Sequence, residues 1–88
     1  MKYIRHSTIG FILWPKSALL RHSEMAKAIK ERRGGEILSA GFCILADVKT
    51  LCFGESTSLD VKSLPDDGEL LNRQMRGLRE NNIRLPGE

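Results

Sequence analysis

Two cysteines, Cys43 and Cys52, are the first side chains in this sequence whose type and spacing could do chemistry, as a thiol redox pair or as metal ligands. They lie in mirrored surroundings, because residues 39–43 (SAGFC) are followed, after a short interruption, by residues 52–56 (CFGES). A chain that turns back over residues 46–49 forms an antiparallel hairpin in which Cys43 faces Cys52 and Phe42 faces Phe53. The same register predicts the pairs Gly41 with Gly54 and Ser39 with Ser56.

Facing cysteines in such a hairpin have Cα atoms about 4.5 to 5.5 Å apart, which a disulfide can span. A reducing compartment argues against that bond. Neither Cys43 nor Cys52 has a basic neighbour in sequence that would favour a reactive thiolate, and both lie among apolar residues. The sequence therefore predicts buried structural thiols, with a thiol redox sensor as the alternative.

Motifs of catalysis or metal binding do not occur in the sequence. The two cysteines lack Cys-x-x-Cys spacing, and His6 and His22 are far apart, so neither set has the spacing of zinc ligands. No Gly-x-Ser-x-Gly elbow or phosphate-binding glycine loop is present. The acidic residues occur where turn and helix-capping chemistry explains them: Asp60, Asp66, Asp67 and Glu69. We expect no catalytic residue, no metal, no cofactor and no enzymatic activity.

Basic side chains cluster on two predicted helices, which could together meet phosphates if both helices lay on one side of a sheet. The candidate nucleic-acid-binding residues are Lys27, Lys30, Arg32 and Arg33 on the first helix and Arg73, Arg76 and Arg79 on the second. Acidic residues interleave with them on both helices, which is typical of an ordinary solvated helix face.

The order of predicted elements is strand, helix, hairpin, helix, which indicates an α+β domain with a small antiparallel sheet backed by two helices. A strand is predicted over residues 7–14, ending at Pro15. Ser23 is the expected N-cap of a helix whose apolar face carries His22, Met25, Ala26 and Ile29 and which ends at Gly34. Residues 56–62 are expected to form an extended connection instead of an edge strand. A second helix is predicted from Pro65, with fraying near Asn81 and Asn82.

The two faces of the predicted hairpin differ in side-chain size. One face carries Phe42, Ile44, Leu51 and Phe53, and the other carries glycines, serines and the two cysteines. Small side chains let a helix approach closely, so we expect the two helices, or a second subunit, on that second face. A three-stranded sheet with two helices cannot easily cover both faces. We therefore predict a protein interface at the four bulky residues or at an exposed sheet edge, with a homodimer as one form of it.

Length and composition limit the classes of protein that this chain can belong to. Its 88 residues predict one domain over residues 1–80 and a flexible tail over residues 81–88. Hydrophobic residues make up 41% and charged residues 28%, and the net charge is +3. No apolar run is long enough for a membrane span, and no secretory signal is recognisable. These features predict a cytoplasmic protein without a membrane partner.

The chain resembles small bacterial prophage and mobile-element proteins in its short length and in the segments GEILSAGFC, CFGESTSLDVKS and PDDGELL. That resemblance carries no motif of assigned function and transfers no site residue. It implies a nonenzymatic accessory or regulatory protein that binds a host or phage component. The first hypothesis is thus a noncatalytic binding protein with a protein partner or itself as partner, and the second is a nucleic-acid-binding regulator.

Overall fold

The structure is a computed structural model that describes residues 1–46 and 49–84, with side chains as far as Gly77. Within these residues it has the predicted α+β class. The elements in chain order are β1 (Lys2–His6), β2 (Gly10–Trp14), α1 (His22–Arg33), β3 (Ile37–Ile44), β4 (Leu51–Phe53), β5 (Glu55–Ser56), β6 (Val61–Lys62) and α2 (Asp67–Arg84).

The main sheet has four antiparallel strands in the order β2-β1-β3-β4. The single strand predicted over residues 7–14 is wrong in extent, because residues 7–9 form a turn and β2 begins at Gly10. Strand β1, which the sequence analysis missed, lies in the centre of the sheet. Its consecutive residues Tyr3 and Ile4 are both fully buried, one on each face. A strand covered on both sides lacks the alternating pattern that reveals a half-exposed strand.

The predicted hairpin register is confirmed, with Phe42 opposite Phe53 and Cys43 opposite Cys52. The ladder ends at Phe53 and does not continue to the predicted pairs of Gly41 with Gly54 and of Ser39 with Ser56. Gly54 turns the chain out of the strand with φ +77°, a conformation that favours glycine. Ser56 then pairs with Val61 instead.

Strands β5 and β6 form a separate two-stranded sheet, so the extended connection predicted for residues 56–62 is wrong. Asp60 adopts φ 55° in the turn between them, and the Ser56 hydroxyl accepts a hydrogen bond from the Leu59 amide at 3.3 Å. Strands of two residues are too short to show an alternating pattern. Leu59 and Val61 pack against the apolar cluster beneath α1.

The two helices cover opposite faces of the main sheet. On one face, the small-residue face, α2 places Leu71 against Tyr3, Phe11 and Cys43. The prediction that both helices lie on this face is wrong for α1. On the other face α1 places Ala26 in a cluster with Ile4, Trp14 and Ala40. A merged basic patch would require both helices to lie on one side of the sheet. Since they lie on opposite sides, the two predicted basic clusters do not merge.

Helix α1 keeps its predicted apolar face, and both helices differ from prediction at their ends. Helix α1 begins at His22, and its N-cap is Arg21 instead of Ser23. The Glu24 carboxylate accepts a hydrogen bond from the Arg21 amide at 3.1 Å, which satisfies a donor that precedes the helix. Helix α2 continues to Arg84, beyond the predicted fraying at Asn81 and Asn82. It includes residues 81–84 of the predicted tail, and residues 85–88 lie outside the described part.

Candidate interaction surface

The structure brings together the four bulky hairpin residues on one face, at the end of the sheet. Ile44 is 56% exposed, and Leu51 and Phe53 are each 48% exposed, while Phe42 is half-buried. The register places Phe42 opposite Phe53 and Ile44 opposite Leu51, so the four side chains lie on the same side of the sheet. We call these four residues the apolar strip. Helix α1 and the β5–β6 sheet cover the rest of this face through Ala26, Leu59 and Val61.

A chain of aromatic contacts fixes the apolar strip to the core. The ring centroids of Trp14 and His22 are 5.3 Å apart, those of His22 and Phe42 are 5.6 Å apart, and those of Phe42 and Phe53 are 6.2 Å apart. The first two pairs are edge-to-face, the geometry that aromatic rings prefer. Phe42 is therefore held in place from behind while Phe53 faces outward.

His22 is a buried structural residue in this chain of contacts. Its Nε2 lies 2.8 Å from the Gly41 carbonyl oxygen, and the residue is buried under the start of α1. The sequence placed His22 on the apolar face of this helix, and the structure confirms that placement. His22 links α1 to β3 beside the apolar strip.

Three cations surround the inner end of the apolar strip. Lys2 is the cross-strand neighbour of Phe42, and its Nζ donates a hydrogen bond to the Leu20 carbonyl oxygen at 3.0 Å. The Nζ of Lys16 lies 5.4 Å from the centroid of the Phe42 ring, and Arg21 is exposed. Sequence reasoning missed these residues because they come from β1, from the loop after β2 and from the residue before α1. No short segment reveals such a cluster.

A groove of about 450 Å³ adjoins the strip on the side of these cations. Lys2 and Arg21 line it together with Phe42, and its opposite wall is formed by residues 55–58, which supply three hydroxyl groups and Glu55. The Ser58 hydroxyl accepts a hydrogen bond from the Ser23 amide at 3.2 Å, so this wall is tied to the first turn of α1. The groove is thus a polar extension of the apolar strip, with Phe42 as their shared wall.

The edges of the main sheet are less available than its face, because α2 reaches both of them. At the β2 edge, the Gln74 side chain hydrogen-bonds to the backbone of Phe11. At the β4 edge, a Cβ placed on Gly68 would lie 2.6 Å from the Thr50 carbonyl oxygen, so the first turn of α2 approaches the strand very closely. Of the two surfaces that the sequence suggested for binding, an edge or the bulky face, the geometry favours the face.

The predicted nucleic-acid-binding residues form two groups, one on each side of the main sheet. Lys27, Lys30, Arg32 and Arg33 are exposed on α1, and Arg73 and Arg76 are exposed on α2, across the sheet. Arg73 pairs with Glu69 one turn earlier, with 2.7 Å between Nη2 and Oε1. The Arg79 side chain lies outside the described part. The two helices do not present one continuous basic surface.

The carboxylate of Asp67, which the sequence assigned to turn and helix-capping chemistry, is the centre of a buried polar cluster. It accepts hydrogen bonds from the Tyr3 hydroxyl at 2.6 Å, the Leu64 amide at 2.9 Å and, more weakly, Arg5 at 3.4 Å. Burial, together with the hydrogen bond to Asp67 and its charge, raises the pKa of Tyr3 far above its ordinary value. These contacts join the first residue of α2 to the central strand, which is a structural role.

The two cysteines are free thiols in the predicted facing positions. Cys43 is fully buried and Cys52 is half-buried. Burial raises the pKa of Cys43 and raises that of Cys52 to about 12, with the nearby Cys43 and Asp67 acting in the same direction for Cys52. Thiols with such pKa values stay protonated near neutral pH, which favours the structural role over the redox role.

His6, the other imidazole, is a buried anchor for the turn between β1 and β2. Its Nδ1 accepts hydrogen bonds from the Thr8 amide at 3.1 Å and the Ile9 amide at 3.3 Å. An Nδ1 that accepts carries no proton, so the neutral ring donates from Nε2 to the Gly34 carbonyl oxygen, 2.7 Å away. These contacts leave the ring without a free nitrogen for acid or base work.

Comparison with protein-family models, with curated proteins and with solved structures gave no significant match. The resemblance to prophage and mobile-element proteins therefore stays a prediction. Neither helix of the described chain combines the length and the apolar character that crossing a bilayer requires. In the same part of the chain, no three His, Cys, Asp or Glu side chains come together in a way that could hold a metal ion.

Proposed function

We propose that this chain is a noncatalytic binding protein that acts through a protein–protein interface centred on the apolar strip. The observation that carries the proposal is the exposure of Ile44, Leu51 and Phe53, each about half accessible on one face, above a Phe42 ring that is fixed from the core. Interfaces concentrate their binding energy in a few such anchors that become fully desolvated. The rigid backing of Phe42 means that little side-chain entropy is lost when a partner binds.

The size of the apolar strip indicates the kind of interface. Aromatic side chains bury roughly 150 to 250 Å² when fully covered, so four side chains at about half exposure or less offer a few hundred Å². A standard stable interface buries about 800 Å² per partner. The strip alone is therefore an anchor for a short segment or for a transient contact. A homodimer needs additional surface around the strip, and it stays a prediction to be tested by mass in solution.

The nucleic-acid alternative has weaker geometric support. Phosphate contacts that act together must line one surface, whereas the basic residues of α1 and α2 lie on opposite faces of the sheet. Arg73 is also partly neutralised by Glu69. The aromatic and aliphatic side chains of the apolar strip fit the surface of a protein partner better than a phosphate backbone.

Site-specific photo-crosslinking in the cells that produce the protein tests this proposal. A benzophenone amino acid is placed at Phe53 in one version and at Ile9 in a matched control, since Ile9 is also a partly exposed apolar residue, at 41%, and lies in the turn at the far end of β1. We expect one discrete crosslinked species from position 53, either a doubled chain or a heterologous protein. That species should disappear when Leu51→Asp is added.

Two results would contradict the proposed function. Equal crosslinking from positions 53 and 9 would show that partners contact the apolar strip no more than another exposed apolar residue. A species from position 53 that is unchanged by Leu51→Asp would show that the apolar strip does not form the contact. Circular dichroism of the purified Leu51→Asp protein checks that the fold survives, which is expected because Leu51 is half exposed.

A further inference from the structure

We infer that the partner presents a short segment in which apolar side chains stand next to an acidic one. The apolar side chains cover the apolar strip, and the carboxylate enters the adjoining groove, which Lys2 and Arg21 line, with the Lys16 ammonium nearby at the Phe42 ring. This inference rests on the proposed function and adds the chemistry of the partner. It is carried by the continuity of an apolar and a cationic surface at one residue, Phe42.

Phe42 joins the two surfaces physically. One side of the residue stacks on Phe53, which belongs to the apolar strip. Phe42 also lines the groove with Lys2 and Arg21, and the Lys16 ammonium lies 5.4 Å from its ring centroid. A segment that lies on the strip and passes Phe42 therefore meets positive charge directly after apolar surface.

The cations keep hydrogen-bonding capacity for such a carboxylate. An ammonium has three donors, and Lys2 uses one of them on the Leu20 carbonyl oxygen. Arg21 is exposed and offers a planar fork that matches a carboxylate. Among the described side chains, none of the three cations forms an ion pair.

The acidic residues nearby do not cancel these charges. The groove is lined by two cations, Lys2 and Arg21, and by one carboxylate, that of Glu55. Positive charge is therefore in excess there. Glu24 lies close to the cations, and its carboxylate accepts the hydrogen bond of the Arg21 amide. A partner carboxylate beside the low-dielectric wall of Phe42 interacts more strongly with these cations than it does in bulk water.

A second copy of the chain fits this surface less well. An isologous dimer centred here places the same three cations of both copies near each other, and like charges across an interface oppose association. A single-stranded nucleic acid also fits less well, because stacking needs free aromatic faces. The Phe42 ring is already in contact with Phe53, His22 and Lys16, and the rest of the strip includes the aliphatic Ile44 and Leu51.

A selection from a random 12-residue peptide library on the immobilised full chain tests the inference. Four versions are compared: the parent, Phe53→Ser, the double variant Lys16→Glu with Arg21→Glu, and Ile9→Ser as control. Lys2 is left unchanged because its contact with Leu20 holds the loop, whereas Lys16 and Arg21 are exposed. Peptides selected by the parent and by Ile9→Ser should combine Leu, Phe or Trp with Asp or Glu.

The variants separate the inference from the proposed function. The double charge variant should still select apolar peptides but lose the acidic enrichment, and it should bind the parent's best peptide at least about 10-fold more weakly. Phe53→Ser should weaken all selected peptides by at least about 10-fold. Apolar peptides without acidic enrichment on the parent would overturn the inference and leave the proposed function standing. Selection that is insensitive to Phe53→Ser would overturn the proposed function itself.

A single-stranded oligonucleotide, dT12, is titrated against the same four versions by fluorescence anisotropy. We expect the oligonucleotide not to bind any version at the concentrations at which the selected peptides bind. Oligonucleotide binding that is tighter than peptide binding and is lost in the double charge variant would overturn a peptide partner in favour of a nucleic acid.

Discussion

The side chain of Gln74 exchanges a complete pair of hydrogen bonds with the backbone of Phe11. The Phe11 amide donates to Gln74 Oε1 at 2.9 Å, and Gln74 Nε2 donates to the Phe11 carbonyl oxygen at 3.0 Å. A glutamine amide on α2 thus occupies the place where a further strand would pair with β2. Unpaired edge strands invite association, and this contact satisfies the outward-facing groups of one edge residue.

Replacement of Gln74 by Ala should therefore both destabilise the chain and uncover the β2 edge. Each lost hydrogen bond to a backbone group is worth about 0.5 to 1.5 kcal/mol, so we expect a loss of about 1 to 3 kcal/mol in the free energy of unfolding. Urea unfolding measures this loss, and light scattering measures self-association. Arg73→Ala is the control, since its exposed ion pair should contribute less than about 1 kcal/mol. Equal stability of the two variants would contradict the structural role of Gln74.

The hydrogen bond from Tyr3 to Asp67 should make the two residues energetically coupled. Tyr3→Phe removes the phenol donor from a fully buried carboxylate, and a hydrogen bond to a charged group contributes about 1.5 to 3 kcal/mol. A double-mutant cycle with Asp67→Ala should give a coupling energy above about 1 kcal/mol. Additive losses in the cycle would mean that the 2.6 Å contact does not persist in solution.

The raised pKa values of the thiols predict slow reactivity at ordinary pH. With a pKa of about 12 for Cys52, the thiolate fraction at pH 8 is smaller than that of a free thiol by more than about 100-fold. Reaction with a disulfide reagent should accelerate by at least that factor when the chain is unfolded in guanidinium. Rapid reaction of one thiol in the folded chain would instead support the redox-sensor alternative.

The same groups predict a loss of stability at alkaline pH. The folded pKa of Cys52 lies above its ordinary value of 9.0, so the folded state retains a proton that the unfolded state releases. Cys43 and Tyr3 are shifted in the same direction by burial. Their contribution is complete below pH 9, and the free energy of unfolding should fall from there as the pH rises towards about 12. A Cys52→Ser variant should show a shallower fall over this range, and an identical fall would contradict the assignment.

Substitutions in the apolar strip should leave the fold intact, in contrast to substitutions in the core. Phe53→Ser should change the free energy of unfolding by less than about 1 kcal/mol, because Phe53 is 48% exposed. Leu71→Ala should cost about 2 to 5 kcal/mol, since Leu71 is fully buried between α2 and the sheet. Thermal unfolding of both variants gives the comparison. A large loss for Phe53→Ser would mean that Phe53 belongs to the core and not to an interface.

The hairpin was predictable because its sequence is nearly symmetric, so local pairing of Phe42 with Phe53 also sets the register. The central strand was not predictable by pattern, because Tyr3 and Ile4 are buried on opposite faces and the charged residues around them suggest an exposed segment. The placement of the helices on opposite faces depends on contacts between distant segments. The cationic cluster of Lys2, Lys16 and Arg21 depends on the same long-range packing. It could therefore not be predicted from the spacing of residues within any short segment.

Carbene footprinting of Leu51 and Phe53 measures whether another molecule covers the apolar strip. Labelling is compared between the purified chain at low concentration and the chain inside its producing cells, with Ile9 as the internal reference. We expect strong labelling of Leu51 and Phe53 in the dilute protein and at least about 3-fold protection in cells, with Ile9 unchanged. Equal labelling of all three residues in both conditions would contradict the proposed interface at the apolar strip.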